Sequence, residues 1–283
     1  MHAGTGIEPF ANKYPDRFFD AGIAEEHAAT LAAGMASRGF IPVFPVYSSF
    51  LQRAYDQVLH DICLQNLHVV LCVDRAGLVG EDGETHHGAY DISYLKHMPN
   101  MTILAPSCIA ELNRMFEYAL YALTGPVAIR YPKGEQKLDI IYHTPLEYGK
   151  GELLFSGKDV LIVASGNTVS IAFEVSDILA RRNIASSIID LRFASPIDDE
   201  LILSNLEDKK LVVVIEDNVD KGGIGEDVVK ALYESGSRIP FLQLGLGNAP
   251  ISHGAVDDLR TAYGLSPEKM AEKIMYKLLK FRP

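Results

Sequence analysis

The chain has 283 residues, which is enough for one large domain or two ordinary domains with their own cores. Its formal charge of −11 and pI near 5.3 argue against nucleic-acid or anionic-membrane binding as the main role, because a basic surface is lacking. The N-terminus has no charged-then-apolar signal pattern, and no apolar run approaches the roughly 18 residues of a membrane span.

The first half of the chain alternates predicted helices with short hydrophobic strands. The helical stretches cover roughly residues 24–37, 50–65 and 107–123, and the strands cover roughly residues 40–46, 68–73 and 126–129. This alternation predicts a parallel sheet, and ligands bind such sheets just beyond the carboxyl ends of the strands.

Two carboxylates, Glu25 and Glu26, stand at the start of the first predicted helix. Carboxylates in a first helical turn usually complement unpaired N–H groups and the positive end of the helix dipole. From these residues alone, that structural role is favoured over a catalytic one.

The residues that follow the predicted strands are of types that a hydrophobic core does not need. They are Tyr47, Phe50 and Arg53 after the first strand, Arg75, Asp82 and His86 after the second, and Arg130 and Lys133 after the third. Aromatic, cationic, acidic and imidazole groups should therefore converge on one edge of the sheet.

The three cysteines, Cys63, Cys72 and Cys108, lie in apolar surroundings and form no Cys-x-x-Cys pair. Buried, reduced thiols in a reducing compartment are the simplest interpretation, so we expect a cytoplasmic protein.

A polar segment with glycines at both ends predicts a domain boundary. We expect a first domain over residues 1–135, a linker over 136–151 and a second domain over 152–283. In the second domain, strands are predicted near residues 159–164, 185–191, 211–215 and 240–244, with helices near 168–182 and 267–280. This pattern indicates a smaller parallel α/β domain.

A Gly-rich segment at residues 221–227 fits neither the dinucleotide-binding fingerprint nor the phosphate-binding P-loop. We interpret it as a strand-to-helix turn in which Glu226 and Asp227 occupy the helix N-terminus, and we assign this domain no catalytic residue.

Four segments resemble the 1-deoxy-D-xylulose-5-phosphate synthases, which are thiamine-diphosphate enzymes of the transketolase superfamily. They are residues 20–27, 47–57, 74–80 and 130–132. The resemblance runs over essentially the whole chain but covers only the second and third domains of that family. It implies an α/β fold of two parallel-sheet domains, in which a pyrimidine-binding domain precedes a transketolase C-terminal-like domain.

The resemblance implies thiamine diphosphate as the cofactor, with its aminopyrimidine half contacted by this chain. In the family, the first domain holds Mg²⁺ and the diphosphate through a Gly-Asp-Gly motif and a later Asn. The nearest look-alike here, Gly80-Glu81-Asp82-Gly83, is followed by no Asn at the expected distance. We therefore expect no metal site in this chain, and no activity without the missing N-terminal domain or subunit.

The matched activity is the decarboxylative condensation of pyruvate with glyceraldehyde 3-phosphate, a two-carbon transfer that feeds isoprenoid, thiamine and pyridoxal synthesis. Because the family is dimeric, we expect a homodimer, with no nucleic-acid or membrane partner. The chain could be a truncated protein, a proteolytic product or a separately encoded subunit.

The resemblance assigns roles to the residues already singled out. Glu25 matches the glutamate that hydrogen-bonds the aminopyrimidine N1′, a role that needs an acid held partly protonated by its removal from water. Phe50 matches the aromatic residue that stacks on that ring, although an ordinary core Phe is the alternative. Tyr47 belongs to the same matched set.

Arg53, Arg75 and Lys133 are the candidates for binding the substrate phosphate. The family commonly has Arg where Lys133 stands, and a lysine offers a point charge in place of a bidentate fork. Asp82 and His86 suit carbonyl positioning and proton transfer, although their loop could also be an acidic surface turn. A zinc site at His86 and His87 is less favoured, because adjacent histidines point apart.

Two alternatives to the synthase remain at this point. One is a subunit of a split transketolase or the β-chain of a 2-oxo-acid dehydrogenase, which share this architecture and the glutamate. The other is a non-catalytic relative. The residues at 75–77 and 131–133 favour the synthase, and the intact set of site residues argues against a non-catalytic protein.

Overall fold

The computed structural model describes residues 4–136 and 138–280, which form two five-stranded sheets covered by helices. In the first half the elements are α1 (Glu8–Lys13), α2 (Glu25–Ala36), β1 (Val43–Tyr47), α3 (Ser48–Leu51), α4 (Tyr55–Gln57), β2 (Val70–Asp74), α5 (Asp91–Leu95), β3 (Thr102–Leu104), α6 (Ile109–Tyr121) and β4 (Val127–Tyr131). In the second half they are β5 (Glu152–Phe155), β6 (Val160–Ala164), α7 (Thr168–Ala180), β7 (Ser186–Asp190), β8 (Phe193–Ser195), α8 (Asp199–Ser204), β9 (Leu211–Ile215), α9 (Ile224–Glu234), β10 (Phe241–Leu244), α10 (Val256–Ala262) and α11 (Pro267–Lys280).

Both sheets are mostly parallel, as the alternation of strands and helices predicts. The first has the order β1-β2-β4-β3-β8, and the second has the order β10-β9-β6-β7-β5. Each sheet also has one antiparallel edge strand that the sequence did not predict, β8 beside β3 in the first sheet and β5 beside β7 in the second. The central strands β2, β6 and β9 are hydrophobic runs buried on both faces, which is typical of parallel sheets.

The two sheets share one continuous core. A single cluster of buried side chains includes Leu71 and Ile103 from the first sheet and Leu161 and Val214 from the second. The chain also passes from one sheet to the other, because β8 follows β7 of the second sheet and pairs with β3 of the first. The two halves therefore pack as one body.

A buried ion-pair network lies where the halves meet. The guanidinium of Arg192 is fully buried between the carboxylates of Glu111 on α6, at 3.2 Å, and Glu152 on β5, at 2.8 Å. Because both acids are also buried, each charge in this network depends on the others to offset its removal from water.

The helical region predicted at 50–65 is irregular. Helices α3 and α4 are separated by a 3₁₀ turn at Gln52–Ala54, and α4 runs into a π-helical turn at Val58–Cys63. The predicted strand at 40–46 begins only at Val43, and the side chain of Phe40 before it is exposed.

Residues 221–227 form the predicted strand-to-helix turn, with Glu226 and Asp227 in the first turn of α9. The sequence did not indicate that its first N–H groups, those of Ile224 and Gly225, donate to the buried carboxylate of Glu216 at 2.7 and 3.3 Å. Burial raises the pKa of Glu216 to about 7, although these N–H donors and Gln243 oppose the rise. Gly223 is required here, because a Cβ would lie 2.3 Å from a Glu216 carboxylate oxygen.

The three cysteines are buried and free, in agreement with the interpretation of the sequence. Within residues 4–136 and 138–280, no helix combines the length and the apolar composition needed to cross a membrane.

Candidate active site

The ends of three neighbouring strands define one edge of the first sheet. Tyr47 at the end of β1 lies opposite Asp74 at the end of β2, which lies opposite Tyr131 at the end of β4. Because these residues share a register, the segments that follow them leave the sheet side by side. The predicted site residues lie on these segments and on the start of α2.

Glu25 is the first residue of α2, and its side chain is only 6% exposed, whereas the neighbouring Glu26 is exposed. The Nη1 of Arg53 donates to the Oε1 of Glu25 over 3.3 Å, and the Arg53 side chain is half exposed. A carboxylate that served only the helix dipole would have no need of burial, so the two acids at this helix start have different surroundings.

Phe50 lies at the centre of an aromatic group formed by predicted site residues. Its ring stacks on that of Tyr47 with centroids 5.3 Å apart, and it meets the ring of His86 edge-on at 5.2 Å. The guanidinium of Arg53 lies 5.2 Å from the centre of the same ring. Phe50 therefore joins Glu25, through Arg53, to the loop that carries His86.

Arg75 continues this chain of contacts. Its guanidinium lies over the Tyr47 ring at 3.7 Å, its Nη1 is 2.8 Å from the Oδ2 of Asp74, and its Nε is 3.5 Å from the Oδ2 of Asp82. The backbone of Arg75 has φ of +61°, a left-handed conformation that non-glycine residues adopt at a cost and that is concentrated at functional sites. The Oδ1 of Asp74 accepts the N–H of Arg75, which supports this conformation.

Lys133 completes the group by donating to the Oδ1 of Asp82 over 2.7 Å. This hydrogen bond lowers the pKa of Asp82, and the charges of Lys133 and Arg75 contribute further. Burial raises the pKa of Asp74, although Arg75 opposes the rise. All three predicted phosphate ligands are thus already paired with acids, because Arg53 is paired with Glu25.

The loop with Asp82 and His86 is closed at its base. Gly77 and Gly88 exchange backbone hydrogen bonds of 2.8 Å in both directions, so residues 78–87 project as one closed loop. Gly88 is required at this point, because a Cβ would lie 2.2 Å from the carbonyl oxygen of Arg75. The strand ends and the loop are thereby fixed to each other.

The structure thus brings all of the predicted site residues into one connected cluster: Glu25, Tyr47, Phe50, Arg53, Arg75, Asp82, His86 and Lys133. Arg130 is not part of it. Its buried guanidinium instead binds Asp91 at 3.0 Å and Asp217 at 2.8 Å, which ties the first half to the second.

The cluster suits the aminopyrimidine half of thiamine diphosphate. A carboxyl group removed from water can hydrogen-bond a ring nitrogen, and a half-buried aromatic ring such as Phe50 can stack on a heterocycle. Among residues 4–136 and 138–280, no group of three or more His, Cys, Asp or Glu side chains is arranged to hold a metal ion. Glu25 and Phe50 are the residues that could hold the aminopyrimidine ring.

Two residues of the site neighbourhood were not identified from the sequence. Asp74 is the closest partner of the Arg75 guanidinium. The contact accompanies the positive φ of Arg75, a backbone conformation that could not be read from residue types. His87, considered only as a zinc ligand, is buried and bonded to two backbone groups, with its Nδ1 3.2 Å from the Val79 nitrogen and its Nε2 3.1 Å from the Ser252 oxygen.

Comparison with known families identifies two domains. Residues 1–137 match the family described as transketolase, pyrimidine binding domain, and residues 149–270 match transketolase, C-terminal domain. Together these matches cover every strand of both sheets.

Among curated proteins, the chain is similar to 1-deoxy-D-xylulose-5-phosphate synthases. It is 50% identical to that of Clostridium tetani over 97% of this chain and 45% identical to that of Thermosynechococcus vestitus over 98% of it. The chain spans 44% of the length of each of these relatives.

Solved structures share the fold. A protein described as a split gene transketolase, inactive beta4 tetramer, superimposes with a TM-score of 0.85 at 29% identity, covering 96% of this chain and 88% of that one. A transketolase from Campylobacter jejuni gives a TM-score of 0.74 at 19% identity, with 90% of this chain and 39% of that one covered. The second likeness concerns the fold alone.

Proposed function

Because this chain belongs to the transketolase superfamily, with a pyrimidine-binding and a C-terminal domain, we propose that it forms part of a 1-deoxy-D-xylulose-5-phosphate synthase. The reaction joins pyruvate to glyceraldehyde 3-phosphate with loss of carbon dioxide. The observation that carries this proposal is the buried Glu25 carboxyl at the end of a continuous chain of aromatic and charged contacts. The higher identity to synthases than to the split transketolase, 50% against 29%, supports the synthase over the alternative.

Glu25 and Phe50 are proposed to bind the cofactor. The buried Glu25 carboxyl would hydrogen-bond a nitrogen of the aminopyrimidine ring, and the Phe50 ring would stack against that heterocycle. When bound, thiamine diphosphate supplies the carbon nucleophile that carries the two-carbon unit. The part of this chain is to orient the aminopyrimidine, to exclude water from Glu25 and to hold a proton at its carboxyl oxygen.

Arg53, Arg75 and Lys133 are proposed to bind the anionic substrates. Arg75 is held in place by the Tyr47 ring and by Asp74, so it offers a positioned guanidinium at low entropic cost. Lys133 is exposed on the far side of Asp82 and would exchange this carboxylate for a phosphate dianion.

Asp82 and His86 are proposed to act on the acceptor aldehyde. The His86 ring lies edge-on to Phe50, and its Nδ1 is 3.0 Å from the hydroxyl of Thr85. Its other ring nitrogen, Nε2, would move a proton to the aldehyde oxygen, while Asp82 holds the neighbouring cations in place.

Mg²⁺ and the diphosphate are proposed to be held by a domain outside these 283 residues, on the same polypeptide or on another subunit. The chain spans 44% of the length of the curated synthases that it matches, which supports this division. A homodimer is also proposed, because the apolar side chains of Phe19, Ile23 and Phe40 on the first domain are 60–80% exposed. Light scattering of the purified chain tests this oligomeric state.

The test of the proposed cofactor site replaces Glu25 by Gln in the enzyme assembled with its diphosphate-binding domain. Loss of the ionisable carboxyl should slow hydrogen–deuterium exchange at the reactive carbon of thiamine diphosphate by about 100-fold or more, as measured by NMR. Glu26→Gln is the matched control, because Glu26 is the adjacent, exposed acid of the same helix, and it should exchange normally. Normal exchange in the Glu25 variant contradicts the assignment.

A further inference from the structure

The loop that carries Asp82 and His86 is held by the C-terminal domain as well as by the first sheet. His87, the last residue of this loop, is only 3% exposed. Its Nδ1 faces the backbone N–H of Val79 at 3.2 Å, and its Nε2 faces the carbonyl oxygen of Ser252 at 3.1 Å, across 165 residues of sequence. One imidazole thus connects the loop to the second half of the chain.

These two partners define the tautomer of His87. Val79 offers an N–H, so the Nδ1 that faces it must be the acceptor. Ser252 offers a carbonyl oxygen, so the Nε2 that faces it must carry the hydrogen. A neutral imidazole meets both requirements at once, and a side chain without hydrogen-bonding groups meets neither.

The segment of the C-terminal domain that contacts the loop is itself held by hydrogen bonds. The backbone N–H of Ser252 donates to the hydroxyl of Tyr263 over 2.8 Å, and this hydroxyl in turn lies 3.3 Å from the carbonyl oxygen of Pro250. Close packing adds to the hydrogen bonds, because a Cβ on Gly80 would lie 3.1 Å from Val256 and 3.3 Å from the carbonyl oxygen of Gly254.

The next residues of the chain are held by the same domain. The N–H of Val219 donates to the carbonyl oxygen of Ala89 over 2.8 Å, and Asp91 and Asp217 share the guanidinium of Arg130. The loop is therefore bounded on one side by its Gly77–Gly88 closure and on the other by contacts with the C-terminal domain.

We propose that His87 is a positioning residue through which the C-terminal domain holds Asp82 and His86 in place for the phosphate-bearing aldehyde. This inference rests on the proposed function for the role of the loop, and on geometry alone for the connection. It gives the C-terminal domain a part in substrate selection, because His87 contacts the loop that carries Asp82 and His86, whereas the contact of Glu25 is with Arg53.

The first experiment measures amide hydrogen exchange of the 283-residue chain without cofactor or substrate. His87→Ala removes the acceptor for one buried N–H and the donor to one carbonyl, so exchange in residues 78–88 should rise about tenfold. His87→Gln should restore protection to within about twofold, because an amide oxygen can accept from Val79 while its NH₂ donates to Ser252.

His68→Ala is the control for this experiment. His68 is also a partly buried histidine bonded to a backbone oxygen, that of Ala119 at 2.8 Å, but it precedes β2, whereas the loop follows the other end of that strand. Its loss should leave exchange in residues 78–88 unchanged. Tyr263→Phe is a second variant that tests the same connection, because it removes only the hydroxyl that accepts the N–H of Ser252. It should raise exchange in residues 78–88 and 248–254 about threefold.

The second experiment measures steady-state kinetics of the assembled enzyme. For His87→Ala, the KM for glyceraldehyde 3-phosphate should rise about tenfold while the KM for pyruvate stays within about twofold, and His87→Gln should behave as wild type. A role confined to stability would change both constants together or neither.

Several results would overturn the inference. Unchanged exchange in His87→Ala or, where that variant does not fold, in Tyr263→Phe would show that the loop does not depend on this connection. Faster exchange without a selective rise in the KM for glyceraldehyde 3-phosphate would reduce His87 to a structural residue. Failure of the proposed function is recognised separately, because it would appear as no condensation of pyruvate with glyceraldehyde 3-phosphate by the wild-type assembled enzyme, whereas the exchange experiment requires no activity.

Discussion

Asp82 is the residue on which the charge balance of the candidate site depends. It contacts both Lys133 and Arg75, and its pKa is held below the ordinary value chiefly by the hydrogen bond from Lys133. A carboxyl group with a depressed folded-state pKa stabilises the fold at pH values above its unfolded pKa of about 4, and this contribution is lost as pH falls through the folded pKa.

Lys133→Ala should therefore raise the pKa of Asp82 toward its ordinary value, and Lys133→Arg should keep it depressed. The carboxyl carbon resonance of Asp82, followed by NMR from pH 2 to pH 7, gives both values. Lys150→Ala is a suitable control, because Lys150 is paired with Asp198 and Glu200 in the second domain. An Asp82 pKa unaffected by removal of Lys133 would mean that the 2.7 Å contact does not persist in solution.

At the scale of single elements, the three-residue strand β8 contributes to the hydrophobic core of the first sheet. Phe193 in this strand is fully buried, and its side chain belongs to the core of the first sheet, together with Val70, Leu104 and Met115. A segment of the second half thus completes the hydrophobic core of the first.

Phe193→Ala should lower the free energy of unfolding by about 3–5 kcal/mol, because it removes a buried ring and leaves a cavity. Phe155→Ala is the matched control. It also alters a Phe on an antiparallel edge strand, but this side chain is 52% exposed, so the cost should stay near about 0.5 kcal/mol. Urea denaturation measures both, and equal losses in the two variants would contradict the role given to β8.

The elements that the sequence predicted are those with a long or strongly hydrophobic pattern. Strands β6 and β9 are five-residue buried runs, and α11 has the composition of a strong helix former. Strands β3 and β8 have three residues each, which is too short for any periodicity. Their pairing is decided by tertiary contact across some ninety residues of chain, and a local pattern carries no information on it.

The site was predictable to a similar extent. Residues that follow neighbouring parallel strands meet at one edge, and for this reason Tyr47, Arg75 and Lys133 could be grouped from the sequence. The pairing of Asp82 with Lys133 could not, because it depends on the path of an irregular loop. The contact of His87 with Ser252 is still harder to predict from the sequence, because every residue has a backbone oxygen and residue identity does not indicate which one is the partner.

At the scale of the whole molecule, Arg192 fixes the two halves to each other. It is fully buried between Glu111 of the first half and Glu152 of the second. Removing its charge would leave the buried Glu152 without a counter-ion and Glu111 with only Arg114, a partly exposed partner at 2.9 Å.

Arg192→Met should destabilise the chain by about 3–5 kcal/mol in urea denaturation. Lys210→Met removes an ion pair with Asp159, but the lysine is 68% exposed, so a loss of about 1 kcal/mol or less is expected. If Arg192→Met were tolerated as well as Lys210→Met, the buried network would not hold the halves together.

The division of the proposed cofactor site has a consequence for activity. The chain purified by itself should neither bind thiamine diphosphate tightly nor condense pyruvate with glyceraldehyde 3-phosphate, and addition of a diphosphate-binding domain should restore both. Calorimetry and product formation measure the two properties. Turnover by the isolated chain would refute this expectation.

The burial of all three thiols makes the molecule convenient for spectroscopy. Burial raises the pKa of Cys63 and of Cys72 to about 12, so almost no reactive thiolate is present near neutral pH, and Cys108 is also enclosed. A cysteine engineered on the exposed tip of the Asp82 loop could therefore be coupled to a fluorophore or spin label without first deleting the native ones. Distances from that probe to a second one near Ser252 would show whether the loop stays in contact with the C-terminal domain in solution.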